Sequence, residues 1–149
     1  MTGIGFKLII ALFFVLSASH ANAAPLPRSL VQLNAVEQDL FGDLADGRLQ
    51  QFNLIETGLV ASGVKNQTTL QRYHEKYKRV YQKIKAQVDP LKTKHEKARA
   101  VHAALHNSLF KRYQVYANSL TEVFDSGRYN CVSAAIIENA ILKDLGIRT

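Results

Sequence analysis

The chain has 149 residues, a formal net charge of +7, one cysteine and no tryptophan. Its length is enough for one modest domain, and a single cysteine excludes an internal disulfide, so packed apolar surface must supply the stability. The missing tryptophan argues against a sugar-stacking surface, and the sequence contains no phosphate-binding glycine loop and no Cys-x-x-Cys motif.

The first 23 residues have the features of a secretory signal peptide. Lys7 supplies a positive charge, residues 8–16 form an apolar run, and Ala21-Asn22-Ala23 is a small-x-small cleavage site. The run is too short to span a bilayer. We therefore expect export to the bacterial periplasm or the medium, a mature helical domain over residues 24–149, and no stable membrane insertion after cleavage. An uncleaved N-terminal anchor helix is the alternative.

Two helices are predicted in the first part of the mature chain. Apolar residues at three- and four-residue steps indicate one helix that ends near Asp46-Gly47, with these residues inward: Leu30, Leu33, Val36, Leu40 and Leu44. A second helix is predicted over residues 48–61, before the Ser62-Gly63 stop signal. Its inward residues would be Phe52, Ile55, Leu59 and Val60.

The third helix has the most regular pattern. It begins after Asn66, which can cap it, and ends before Asp89-Pro90. Steps of three and four residues place six side chains on one face: Leu70, Tyr73, Tyr77, Val80, Ile84 and Val88. Basic residues outnumber acidic ones over residues 72–99. A solvated helix face explains them better than nucleic-acid binding, which export also disfavours.

A fourth helix is predicted over residues 91–113, with Ala98, Val101, Leu105 and Leu109 along its buried side. Residues 114–124 fit either a short helix or an extended connector. Three histidines of the fourth helix share one face: His95, His102 and His106. His102 and His106 have the spacing of a two-histidine metal site, although an exposed polar face is the interpretation we favour.

A turn at Asp125-Ser126-Gly127 precedes a fifth helix that begins at Cys131. Asn130 can cap this helix, and Gly146 stands where a left-handed C-cap belongs, followed by Ile147 for an apolar contact. The predicted inward residues are Val132, Ala135, Ile136, Asn139, Ala140, Leu142 and Leu145. No convincing strand is predicted anywhere.

Cys131 is the candidate catalytic residue. At the first turn of a helix, unpaired N–H groups and the positive end of the helix dipole favour the thiolate, which is the nucleophilic form. The same N–H groups are expected to help stabilise an oxyanion. A partly buried structural cysteine is the alternative, and the physical argument alone does not separate the two.

The residues around Cys131 carry a family resemblance. Arg128-Tyr-Asn-Cys-Val-Ser-Ala-Ala and Leu142-Lys-Asp-Leu-Gly-Ile147 resemble the nucleophile helix of the transglutaminase-like superfamily of papain-like cysteine enzymes. Tyr-Asn-Cys-Val-Ser is similar to exported bacterial members that join such a domain to helical repeats. The resemblance implies a mainly α chain whose five or so helices form the N-terminal part of a papain-like α+β fold without its β-half, with residues 125–149 as nucleophile turn and helix.

The superfamily also implies a Cys-His-Asp triad whose histidine and carboxylate follow on β-strands. Only Cys131 has a matching position, because the chain stops at Thr149, and Arg148 stands where many members have proline. We expect a cysteine peptidase or amidase fragment, inactive alone, whose complete form acts on a peptide or amide and has downstream helical repeats. No cofactor and no metal are implied. The alternative is a non-enzymatic periplasmic all-α binding or scaffold protein.

Overall fold

The computed structural model describes residues 32–147, and the fold is mainly α, as predicted. The proposed signal peptide over residues 1–23 lies outside the described residues, as does Leu30. The elements in chain order are α1 (Ala35–Asp43), α2 (Leu54–Ala61), α3 (Gln67–Val88), α4 (Lys94–Ser108), β1 (Arg112–Tyr113), α5 (Leu120–Ser126), β2 (Arg128–Tyr129) and α6 (Cys131–Asp144). Among residues 32–147, no helix combines the length and the apolar composition that crossing a membrane requires.

The loop between α1 and α2 replaces the start of the predicted second helix. The Asp43 side chain is only 7% exposed. Its carboxylate accepts hydrogen bonds of 2.9–3.1 Å from the backbone N–H groups of Gln50, Gln51 and Phe52. These bonds hold the segment before α2 in a non-helical conformation. The prediction of a helix over residues 48–61 is therefore wrong in its first half.

The same contacts change the acidity of Asp43. The hydrogen bond from the Phe52 N–H holds the pKa of Asp43 below its ordinary value of 3.8, against the opposing effect of burial, and the Gln51 and Gln50 N–H groups lower it further. Asp43 is thus the buried residue at the end of α1, whereas Leu44, which was predicted to point inward, is exposed.

Helix α3 matches its prediction closely. Asn66 caps it through a 2.9 Å bond from the Thr69 N–H, and the helix ends at Val88. Of the six predicted inward residues only Val80 is half-buried, and the others are buried. The hydroxyls of Tyr73 and Tyr77 donate hydrogen bonds of 2.6 Å to Asp125 and Asp144, which fastens α3 to α5 and α6.

Helix α4 is shorter than predicted at both ends. It begins after Thr93, which caps it, and ends at Ser108. Beyond its end, the N–H groups of Lys111 and Arg112 donate to the Gly127 carbonyl at 2.8 and 3.1 Å. This pairing draws the chain into β1, which lies parallel to β2. The predicted fourth helix is therefore confirmed over residues 94–108 and wrong at its ends, and the prediction of a chain without strands is wrong.

The connector after β1 contains both of the alternatives left open by its sequence. Residues 114–117 run as a loop, and α5 follows from Leu120. Ser62 at the end of α2 accepts a 2.8 Å hydrogen bond from the Leu120 N–H, so α2 caps the start of α5. Gly127 then ends α5 with a left-handed φ of +72°. A residue with a Cβ would be destabilised in this conformation, so glycine suits the position.

Helix α6 has the predicted start and end. After it, the N–H groups of Gly146 and Ile147 each donate a 2.9 Å bond to the last turn, to Lys143 and Leu142. These two hydrogen bonds together form the Schellman motif. The motif requires a left-handed residue after the helix, and Gly146 supplies it with a φ of +70°.

The predicted inward face of α6 is partly wrong. Val132, Ala135 and Asn139 are exposed. The buried residues are Ser133, Ile137, Ala140, Ile141 and Leu142. Helices α2, α4 and α5 all pack against α6, and its apolar residues cover so wide an arc that period alone does not select the buried side.

Candidate functional site

Cys131 is the first residue of α6, and its side chain is exposed. The residue before it, Asn130, is buried and caps the helix. The Asn130 side-chain oxygen accepts 3.0 Å hydrogen bonds from the N–H groups of Val132 and Ser133. Its amide nitrogen donates a third bond, also 3.0 Å, to the carbonyl of Val115. Asn130 therefore both starts α6 and ties it to the loop after β1.

Ser133 completes this arrangement. Its side chain is fully buried. The Ser133 hydroxyl oxygen accepts a 3.0 Å bond from the Asn130 N–H, and the hydroxyl donates a 2.9 Å bond to the carbonyl of Ala117. Asn130 and Ser133 together, which we call the polar clamp, hold residues 115–117 across the start of α6. Ser133 was not among the predicted site residues, because the usual capping box has Glu or Gln at this third position, where the structure has a serine that makes the same reciprocal bonds with Asn130.

The polar clamp determines which N–H groups remain free at the start of α6. Those of Val132 and Ser133 are bonded to Asn130. The Cys131 N–H takes part in no hydrogen bond among residues 32–147. Several N–H groups were expected to be available to stabilise an oxyanion. Only one of them remains available, the N–H of Cys131 itself.

The three histidines of the predicted fourth helix do not meet the thiol. His102 Nδ1 lies 3.2 Å from Glu138 Oε2 of α6. The ring of His106 lies 4.5 Å from that of His102 and 5.7 Å from that of Tyr129, measured between centroids. No hydrogen bond joins a histidine to Cys131 Sγ within the part of the chain that the structure describes.

No group of three or more His, Cys, Asp or Glu side chains is arranged to hold a metal ion in residues 32–147. His95 and His102 instead border a shallow groove of about 430 Å³ together with Arg99 and Glu138. All three histidines are exposed, in agreement with the polar-face interpretation.

Four of the exposed large apolar residues belong to segments next to the start of α6, three of them in residues 113–116 and one directly after Cys131. We call Tyr113, Val115, Tyr116 and Val132 the apolar rim; their exposed fractions are 55%, 67%, 93% and 53%. The Gln114 N–H donates a 2.8 Å bond to the carbonyl of Tyr129, so the chain that carries the rim runs beside the residues that lead into Cys131.

Two grooves lie away from the thiol. One has a volume of about 680 Å³ and lies between the start of α2 and the end of α6, where Leu54, Ile136 and Ile147 line it with Lys143. The other has Lys76, Arg79 and Lys83 of α3 around an apolar floor. Both grooves are open to solvent, and a function that consists of binding alone would use such a surface without needing the Cys131 thiol.

No protein-family model, no curated protein and no solved structure matches the chain. The transglutaminase-like resemblance therefore depends on residues 128–147 alone.

Proposed function

We propose that the chain is the N-terminal part of an exported cysteine peptidase or amidase of the transglutaminase-like superfamily, with Cys131 as its nucleophile. The observation that carries this proposal is the exposed thiol at the first position of α6, beside its own unpaired N–H. Exposure makes the thiol accessible to a substrate carbonyl, and the start of a helix is a position that favours negative charge.

The chemistry assigned to Cys131 is acyl transfer. Its Sγ attacks a carbonyl carbon, the carbonyl oxygen becomes an oxyanion that accepts a hydrogen bond from the Cys131 N–H, and the C–N bond breaks to leave a thioester. The leaving amine must receive a proton. No described residue hydrogen-bonds to Sγ, so the chain is expected to accept acyl groups from activated esters and to be inactive alone towards amides.

Alkylation by iodoacetamide tests the nucleophile. Cys131 is the only cysteine, so every alkylated chain reports on it. The folded chain at pH 7 is expected to react faster than the same chain unfolded in urea at that pH. An equal or lower rate in the folded state would mean that the start of α6 does not activate the thiol, and the enzyme proposal would fail.

A non-enzymatic binding or scaffold protein of the periplasm is the second candidate. It is favoured by the groove lined by Leu54, Ile136 and Ile147, which is larger than the other grooves described above. The two functions differ in their dependence on the thiol. Under the scaffold proposal, Cys131→Ser leaves every property of the chain unchanged, whereas under the enzyme proposal it abolishes acyl transfer.

A further inference from the structure

The basic residues of α3 fall into two sets that differ in their partners. Lys78 is paired with Glu75 at 3.0 Å. Lys85 is paired in the same way with Asp89, the residue that follows the helix, at 2.6 Å. The second set is a row that the helical period places within about 60° around the helix axis: Arg72, Lys76, Arg79 and Lys83. Within residues 32–147, Lys76 pairs with Asp125, and no other member of the row has an ion-pair partner.

This row borders a groove between α3 and the segments packed beside it. Lys76, Arg79 and Lys83 line the groove, whose volume is about 290 Å³. Its apolar floor consists of half-buried residues from three helices or helix ends: Val80 of α3, Leu109 at the end of α4 and Phe124 of α5. No acidic residue of the described chain is among those that line it. We call these six residues the basic groove.

The apolar floor strengthens the field of the two unpaired cations. A cleft with charges of one sign and walls of low polarity attracts counter-ions more strongly than an open helix face, because less water screens the charges. Arg79 and Lys83 meet this condition in the basic groove, whereas Lys78 and Lys85 are paired with carboxylates. The basic groove is therefore the part of α3 where an anionic partner is expected to bind.

The spacing of the two unpaired cations fits an extended acidic polypeptide. Arg79 and Lys83 are four residues apart, which is about 6 Å along a helix. Side chains two residues apart on an extended chain lie on the same side of it, about 6.6 Å from each other. Two carboxylates separated by one residue can therefore reach both cations at once, and the planar guanidinium of Arg79 suits a carboxylate.

Two other polyanions fit the basic groove less well. Stable binding to a bilayer surface uses apolar side chains that insert into it, whereas Val80, Leu109 and Phe124 are half-buried at the floor of a groove. Single-stranded nucleic acid is held by stacking of its bases on exposed aromatic faces. The ring of Phe124 is instead half-buried beside that of Tyr73, with 6.4 Å between the centroids.

We infer that the basic groove binds an acidic segment of another polypeptide, in which two carboxylates separated by one residue pair with Arg79 and Lys83. The inference is carried by charge complementarity at a groove whose cations have no partner within the described chain. It goes beyond the proposed function and does not depend on it, because Cys131 is not among the residues that line the groove.

Fluorescence anisotropy of a labelled octaglutamate peptide tests the inference on the chain as it stands. A labelled octaglutamine peptide is the matched neutral probe. We expect saturable binding of one octaglutamate per chain, no comparable binding of octaglutamine, and weaker binding as the salt concentration is raised. The double variant Arg79→Ser/Lys83→Ser is expected to bind octaglutamate about tenfold more weakly, because it removes both charge pairs.

A second double variant separates the groove from the net charge of the chain. Lys78→Ser/Lys85→Ser removes the same two charges from the same helix, but neither residue lines the basic groove. Its affinity for octaglutamate should change by less than about twofold. Within the described residues, the side chains of Arg79 and Lys83 make no hydrogen bond or ion pair, so the groove variant is expected to fold as the control does.

Each contrary outcome overturns the inference. An equal loss of affinity in the two double variants would mean that octaglutamate responds to net charge alone. Equal binding of octaglutamate and octaglutamine would remove the role of the carboxylates. If vesicles that contain phosphatidylglycerol, or an oligothymidylate, bind through Arg79 and Lys83 while octaglutamate does not, the groove would belong to a membrane or a nucleic acid. None of these results bears on Cys131, which alkylation tests separately.

Discussion

Replacing Ser133 with alanine removes half of the polar clamp without opening a large cavity. The variant leaves two buried groups without their partner, namely the Asn130 N–H and the carbonyl of Ala117. Each unsatisfied buried group costs about 1–3 kcal/mol, and the two costs overlap because the groups are close in space. We expect Ser133→Ala to lower the free energy of unfolding by about 2–4 kcal/mol.

Urea unfolding followed by circular dichroism at the helical signal measures this change. Ser126→Ala is the matched control, because the Ser126 hydroxyl also donates to a backbone carbonyl, that of Glu122, but from an exposed position. The control should change the free energy of unfolding by less than about 0.5 kcal/mol. If Ser133→Ala is no more destabilising than the control, the polar clamp does not hold residues 115–117 on α6 and the account of the site is wrong.

Two further predictions concern the backbone and the acid range. Gly127→Ala is expected to lower the thermal unfolding midpoint more than Gly146→Ala. Both variants lose about 1–2 kcal/mol because the residue has a positive φ, but only at Gly127 would the new Cβ also clash with a backbone atom, the Leu109 oxygen at 2.8 Å. Equal thermal midpoints for the two variants would contradict this. Because the folded-state pKa of Asp43 lies below 3.8, its stabilisation is full above that pH and is lost as pH falls through the lower value. The deficit of Asp43→Asn in urea midpoint should therefore shrink below pH 3.8, whereas a deficit that stays constant with pH would refute the role of this carboxylate.

The sequence was sufficient where local pattern and tertiary packing agree. Helix α3 has one apolar stripe over its whole length, a cap at Asn66 and a stop before Pro90, so its bounds and its buried face followed from period and capping alone. The end of α6 was equally predictable, because Gly146 and Ile147 are a local Schellman signal.

It was insufficient where the partner is distant in the chain. Strand β1 exists because the N–H groups of Lys111 and Arg112 donate to the carbonyl of Gly127, about fifteen residues later. The sequence of residues 109–113 contains no pattern that predicts pairing with Gly127. The loop before α2 depends in the same way on the carboxylate of Asp43, which is not one of the apolar positions from which the first helix was predicted.

The candidate site shows the same division. Cys131 and Asn130 follow from the sequence as the first helical residue and its cap. Ser133 was missed because a buried hydroxyl has no apolar period and its acceptor, the carbonyl of Ala117, lies on a loop. The face of α6 was predicted incorrectly for a related reason: three helices cover it, and their arrangement is a property of the whole domain.

Acyl transfer to the thiol is the direct test of the central claim. The folded chain is incubated with p-nitrophenyl butyrate, and released p-nitrophenolate is followed together with the mass of the protein. We expect a burst of one equivalent per chain, a butyryl group on Cys131, a higher rate than for the chain unfolded in urea at the same pH, and no burst from Cys131→Ser. A rate that is the same in the folded and the unfolded chain would contradict it.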